Sequence, residues 1–404
     1  MSQLHGLPVR LPVRLLMWGA LGIALHVGLA RIAYGVVLPS LRSELGLGYT
    51  AGGVLNAIHL AGYLIGTLLG PTIVRRFGLP RTARWAHGLV AVGAVLCALV
   101  PITPDVGVVL LGLGRLATGL GAGAAVITIM VSVMAGVAEG SRPAASVLMW
   151  TGMAAAILGC GLGAPWLLEP GAWRLVFVAA AIAALALAIG LPVPAAAEAT
   201  PTPSGGAAFT LASVTGPRWV WLVATYFCFG LGYIAYATFA GTRMAAAAAP
   251  PSVVAVTWTL YGLATLCGSA ATLWLLRRPA WRSLALPVAM GLAAAGCAVA
   301  ALPMASASGA AGSVAAAAGA LLVGFGLAAT PALVTAAARS RSSAADYARA
   351  FSLATAAMGL GQLIGPVLAG ALADGFGSAA APLFAAAAYG FGSLFAAIDR
   401  RAAA

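Results

Sequence analysis

Gly28-Leu-Ala-Arg-Ile-Ala-Tyr34 and Gly230-Leu-Gly-Tyr-Ile-Ala-Tyr236 are almost the same phrase, written twice in one chain of 404 residues. Five of the seven positions agree at an offset of 202, and at that offset Arg75-Arg76 returns as Arg277-Arg278. Each copy lies in or beside a long apolar segment. The pattern is that of a duplicated bundle of membrane helices. Two mismatches between the copies fall on polar positions: Arg31 is matched by Tyr233, and His59 by Tyr261.

Composition demands a bilayer as the solvent. Hydrophobic residues make up 62% of the chain and charged residues 7%, with a mean hydropathy of +1.03. A soluble protein of this length cannot hide so much apolar surface. The apolar runs are far longer than the roughly ten residues of a barrel strand and lack its alternation. Helices remain, because each span must satisfy its own backbone polar groups. The net charge of +13 would point to nucleic acid in a soluble protein. Here all 21 basic residues are arginine, and they gather in short loops on one side of the implied membrane. Charge therefore reports topology, and nucleic acid is not an expected partner. The five cysteines, at 97, 160, 228, 267 and 297, fall inside apolar stretches at irregular spacing and read as small hydrophobic residues.

Twelve apolar segments of about 20 residues are predicted. They cover 15–39, 50–72, 84–102, 107–137, 143–168 and 172–192 in the first half. In the second half they cover 217–245, 253–276, 284–304, 312–336, 351–372 and 380–398. The first carries Arg10 and Arg14 before it like a signal peptide, but its length, His26 and Arg31 make it a retained span. Twelve spans put both ends of the chain on one side. That side holds sixteen arginines and the opposite loops hold three, Arg42, Arg174 and Arg243. The positive-inside rule then places both termini in the cytoplasm. Residues 1–192 and 217–404 form two six-helix halves, joined by a proline- and glycine-bearing cytoplasmic linker at 193–216.

Several motifs agree with one family. Arg115-x-x-x-Gly119-x-Gly121-x-Gly123 is similar to the fourth-helix motif of the major facilitator superfamily. The stretch from Gly152 through Gly163 to Pro165 resembles its fifth-helix motif, and Trp173-Arg174 and Gly361-Gln362-Leu-Ile-Gly365-Pro366 are also familiar there. Arg75-Arg76-Phe77-Gly78 keeps the basic residues and glycine of the loop after the second span, while the aspartate usual in that loop is missing. Arg277 and Arg278 repeat the basic pair. Arg31-Ile-Ala-Tyr34-Gly-Val-Val-Leu-Pro39, 56–66 and 227–239 resemble the YbfB/YjiJ branch of the superfamily. The resemblance implies an all-α integral membrane protein, not an enzyme, built as twelve transmembrane helices in two pseudo-symmetric halves. It implies a cavity lined by spans one, four, seven and ten, and a gating or structural role for the motif residues.

Ionisable groups inside a span cost energy, about 2.5–3.5 kcal/mol for a mid-helix arginine, and usually mark a pathway. His26, Arg31, His59 and Arg115 are such groups, whereas the acidic residues all read as loop or end positions. Arg31 and Arg115 each lie about 12 Å from the same membrane face, at 1.5 Å per residue. Two guanidiniums without a carboxylate suit an anionic solute group, because the fork matches carboxylate or phosphate. For Arg31 the plain alternative is a snorkelling or carbonyl-bonded side chain, and for Arg115 a structural role. Asn56, His59 and Tyr63 share one stripe of the second span. His59 is the candidate proton carrier. His26, about 140° around its helix from Arg31, is a second candidate for which packing is the favoured role.

Aromatic residues mark the second half: Tyr226, Tyr233 and Tyr236 on span seven, and Trp258 and Tyr261 on span eight. With Tyr34 they are expected to line the site and hold an apolar solute body, or else simply to pack helices. Met130/Met134 and Met149/Met153 are i, i+4 pairs that either fill the core or suit Cu(I). No P-loop, zinc-ligand spacing or Ser/His/Asp arrangement occurs, so no cofactor is implied.

The reading is a secondary active transporter of a small anionic organic solute in a bacterial inner membrane. It works by alternating access as a monomer, with protons or a counter-anion as possible coupling species. Weighed beside it are an exporter of neutral or anionic compounds, a copper importer, and a membrane sensor that has lost turnover.

Overall fold

A computed structural model describes residues 12–101, 104–190, 217–278, 281, 283–302, 310–340 and 344–403. Among them there is no strand, and each of the twelve predicted segments lies on its own helix. The first half contains α1 (Val13–Leu45), α2 (Tyr49–Phe77), α3 (Leu79–Ala98), α4 (Pro104–Gly136), α5 (Arg142–Leu167) and α6 (Arg174–Ile189). The second contains α7 (Pro217–Ala246), α8 (Pro251–Leu276), α9 (Ala285–Ala301), α10 (Ala310–Ser340), α11 (Ala344–Phe376) and α12 (Ala380–Ala403). Among the described residues, nine spans are long and apolar enough to cross a membrane, while α6 and α9 are shorter apolar helices. The expected linker, 193–216, lies outside the described residues.

The first span runs further than its composition predicts. It passes through Pro39 to Leu45 and ends on Gly46, whose φ of 64° closes the helix in the left-handed region. Its middle is not α-helical: Ala24–Ile32 winds as a π-helix, and the Ala33 N–H reaches back five residues to the Gly28 carbonyl. π-turns are costly and cluster at functional sites. This one carries both His26 and Arg31.

Helix contacts repeat from half to half. The pairs α2–α4, α3–α4, α1–α5 and α3–α6 are matched by α8–α10, α9–α10, α7–α11 and α9–α12. Individual glycines keep the register. Gly28 of α1 abuts Ala156 of α5, and 202 residues on, Gly230 of α7 abuts Met358 of α11. A Cβ on Gly93 or Gly114 would lie 2.7 Å from the other's carbonyl oxygen, and the same is true of Gly296 and Gly319. Small residues at these crossings let backbones touch where lipid gives no hydrophobic drive.

Between the halves, α1 packs on α7, α2 on α11 and α5 on α8. Gly35 meets the Ala237 backbone, Gly53 meets the Pro366 carbonyl, and Gly161 meets Trp258 and Thr259. These close contacts all lie at mid-height or toward the end of the bundle away from the chain termini. The motif glycines divide in the same way. Gly119 and Gly123 pack inside the first half, on the carbonyls of His59 and Tyr63, and Gly365 packs inside the second on Leu231. Pro165 lies within α5, and Gly163 meets only Leu167 of its own helix.

Candidate functional site

Arg31 leaves the π segment of α1 and crosses to the other half. One guanidinium nitrogen donates both to the Tyr233 hydroxyl of α7 and to Oε1 of Gln362 on α11. Arg31 and Tyr233 are the repeat-equivalent positions. Residues related by the duplication touch each other only where its pseudo-twofold axis passes, so this bond sits on that axis, as does the Gly35–Ala237 contact. Tyr63 of α2 and Tyr233 flank the guanidinium, with ring centroids 5.4 Å and 5.6 Å away. Arg31 is 5% exposed, its Nε has no partner, and among the described residues no carboxylate pairs with it.

Arg115 is held quite differently. It donates to the Ala30 carbonyl at 2.7 Å, to Asn56 Oδ1 at 2.6 Å and, from Nε, to the Leu55 carbonyl at 3.5 Å. Its guanidinium also lies 4.3 Å from the Tyr34 ring centre. The Ala30 carbonyl sits at the end of the π segment, where the helix ladder changes register. Arg115 is 0% exposed and ties α4 to α1 and α2 inside one half. Of the two expected guanidiniums, Arg31 thus bonds across the halves, and Arg115 bonds through every guanidinium nitrogen within one half. Tyr34 belongs with the second: its hydroxyl donates to the Gly52 carbonyl at 3.0 Å.

The polar stripe of α2 faces α4, with its ends reaching the centre. Asn56 presents Oδ1 to Arg115, which only donates, so its Nδ2 donates to Thr238 Oγ1 of α7 at 2.7 Å. His59 lies 3.1 Å through Nδ1 from Thr118 Oγ1. Thr118 spends its own proton on the Arg115 carbonyl, so Nδ1 is the protonated nitrogen. Nε2 of His59 is buried and unbonded. The π-winding of Ala24–Ile32 removes the α-helical spacing from which the 140° separation of His26 and Arg31 was expected; His26 sits edge-on against His87 of α3, with ring centroids 4.9 Å apart. Neither of its nitrogens has a partner.

The aromatic residues form two groups. Tyr226, Phe229 and Tyr233 stack in a column, with centroid spacings of 5.6 Å and 4.9 Å, that leads to Arg31. Tyr236, Tyr261 and Trp258 meet edge-on at 5.7 Å. The Tyr261 hydroxyl, Trp258 Nε1, the neighbouring Thr257 hydroxyl and the Tyr389 hydroxyl are all buried without partners. Unsatisfied donors in such number are unusual in a protein interior.

Three residues of this centre, Thr238, Thr118 and Tyr389, were not singled out from sequence, and Gln362 was named there only within a motif. Gln362 gave a readable sign, an amide in an otherwise apolar stretch whose repeat partner is Cys160. The threonines gave none, because a threonine in a span most often bonds its own helix. The loop basic residues stay local: Arg75 donates to Thr72, Arg76 lies over Phe77, and Arg278 over Trp274. Arg277 follows α8 in the second copy. Gly78, with φ of 81°, makes the turn from α2 to α3. Met130, Met134, Met149 and Met153 share one apolar cluster with Val133 and Ile129. Cys97, Cys160, Cys228 and Cys297 are buried, whereas Cys267 is exposed.

Residues 23–398 match a family model described as "Uncharacterised MFS-type transporter YbfB". No curated protein matches the sequence significantly. Solved structures share the fold at low identity. The D-xylose-proton symporter aligns with a TM-score of 0.74 at 16% identity, covering 96% of this chain and 97% of that one. A bacterial homologue of the human lysosomal transporter Spinster, inward-facing and unoccupied, gives 0.73 at 15%, with coverages of 96% and 97%. The nucleoside transporter NupG gives 0.72 at 13%, with coverages of 97% and 98%.

Proposed function

From a chain that belongs to the YbfB family of major facilitator transporters, we propose a secondary transporter that moves a small organic anion by alternating access around Arg31. The observation that carries this is the state of Arg31 itself. It is a buried cation with neutral partners, an unbonded Nε, and bonds to two helices of the opposite half. A solute carboxylate or phosphate supplies the missing charge and takes over N–H groups now spent on Tyr233 and Gln362. The stacked column of Tyr226, Phe229 and Tyr233 offers a flat wall for the solute body.

The arginine distribution supports a bacterial inner-membrane protein with both termini in the cytoplasm. In that orientation the inter-half contacts at Gly35 and Gly53 lie toward the outside. His59 is the proposed proton carrier, since its bare Nε2 sits one helix turn from Tyr63, which flanks Arg31. Exchange against a counter-anion is the other mode. The unpartnered donors at Trp258 and Tyr261 favour a second reading, export of neutral compounds rich in acceptor atoms.

The test is flux of a panel of organic anions into proteoliposomes, with and without a pH gradient. Arg31→Ala is expected to abolish uptake of any anion the wild type carries, with the folded protein still recovered. Undiminished anion flux in that variant sinks the clamp.

A further inference from the structure

The first turn of α2 is capped by the other half of the molecule. A helix start leaves four N–H groups without partners, and Ser, Thr, Asp or Asn at the N-cap usually answers one of them. The N-cap of α2 is Gly48, preceded by Leu47 and Gly46, and no side chain of this segment caps the helix. Asp374, at the far end of α11, does so instead. Its Oδ1 accepts the Tyr49 N–H at 2.8 Å. Its Oδ2 accepts the Thr50 N–H at 2.8 Å and the Thr50 hydroxyl at 2.6 Å.

The surroundings fit this arrangement. A Cβ on Gly48 would lie 3.3 Å from both carboxylate oxygens, so glycine keeps the approach open. The carboxylate faces the positive end of the α2 dipole. Arg42 of α1 lies over the Tyr49 ring at 3.5 Å and donates to the Leu47 carbonyl at 3.1 Å, which fixes the chain just before the cap. Tyr49 in turn meets Phe239 of α7 at 6.2 Å. Below the cap, Gly370 packs on Tyr49 and Thr50, and Gly53 on Pro366.

We propose that Asp374 is the latch of the gate at the end away from the termini: α2 has its cap only while the two halves are shut there. Opening strips α2 of three bonds that its own sequence cannot replace. The latch biases the molecule toward the state that is closed at this end, and so sets how often the centre is exposed to that side. It rests on the alternating-access part of the proposed function and not on the anion.

The experiment needs no solute. Spin labels on Glu169→Cys and Ala246→Cys, both exposed loop-side positions in opposite halves, report the opening of this end as a distance distribution, with the five native cysteines replaced. Asp374→Ala is expected to raise the open-to-shut ratio roughly tenfold, the size of one lost capping interaction. Thr50→Val removes the hydroxyl bond alone and is expected to give a smaller shift in the same direction. Thermal unfolding of the same samples separates latch from scaffold. Lower stability with an unchanged distance distribution in Asp374→Ala overturns the latch, as does no change in either measurement. Loss of anion flux with this shift intact would count against the anion reading alone.

Discussion

Two buried arginines at matched depth behave as different residues once their neighbours are known. Arg115 answers every nitrogen with a carbonyl, an amide oxygen or a ring face inside one half. Removing it strands those acceptors in a dry interior. Arg115→Met is expected to cost about 1–3 kcal/mol for each acceptor it strands, and to lower the melting temperature in detergent. Arg31 shares its protons with two neutral groups across the interface and leaves Nε bare. Arg31→Met is expected to leave the melting temperature within a few degrees while flux is lost. Equal melting temperatures for the two variants would contradict this division. The sequence treated both as mid-span guanidiniums because depth is legible in one dimension and partners are not.

Among the elements, α1 and α2 carry the centre. The π segment of α1 resets the helix between His26 and Arg31, and α2 supplies Asn56, His59 and Tyr63. Glycines on α2 have two duties that substitution separates. Gly66 meets the Leu120 carbonyl inside the first half, and Gly53 meets the Pro366 carbonyl across the halves. Adding a methyl group at either position forces backbone apart. Gly66→Ala is expected to lower thermal stability, because α2 and α4 cannot separate without unfolding. Gly53→Ala is expected to change the conformational equilibrium more than the stability, because the proposed cycle separates α2 from α11. Comparing melting temperature with maleimide labelling of a cysteine near Pro39 distinguishes the two effects. π-winding itself had no sequence sign, since Ala24–Ile32 carries the apolar pattern of any span.

At the scale of the whole molecule, the proposed alternating access requires the shut end to open. A disulfide between Thr50→Cys and Asp374→Cys, placed where the native side chains lie 2.6 Å apart, should stop flux until it is reduced. Flux that persists under oxidation would show that this end does not move. The duplicated phrase at Gly28 and Gly230, the apolar spans and the one-sided arginines determined by themselves the twelve helices and their arrangement as two halves. Those properties are periodic or compositional, and the bilayer enforces them locally, span by span. Only the tertiary structure decided that Arg31 bonds its own repeat partner Tyr233, that Gln362 joins it, that Arg115 is saturated, and that Asp374 caps a helix 325 residues away. The physical reason is that each depends on which helix faces lie opposite each other when two unlike halves of a duplicated bundle close. That geometry is set by backbone contacts at glycines, which look alike in sequence whether they pack within a half or between halves.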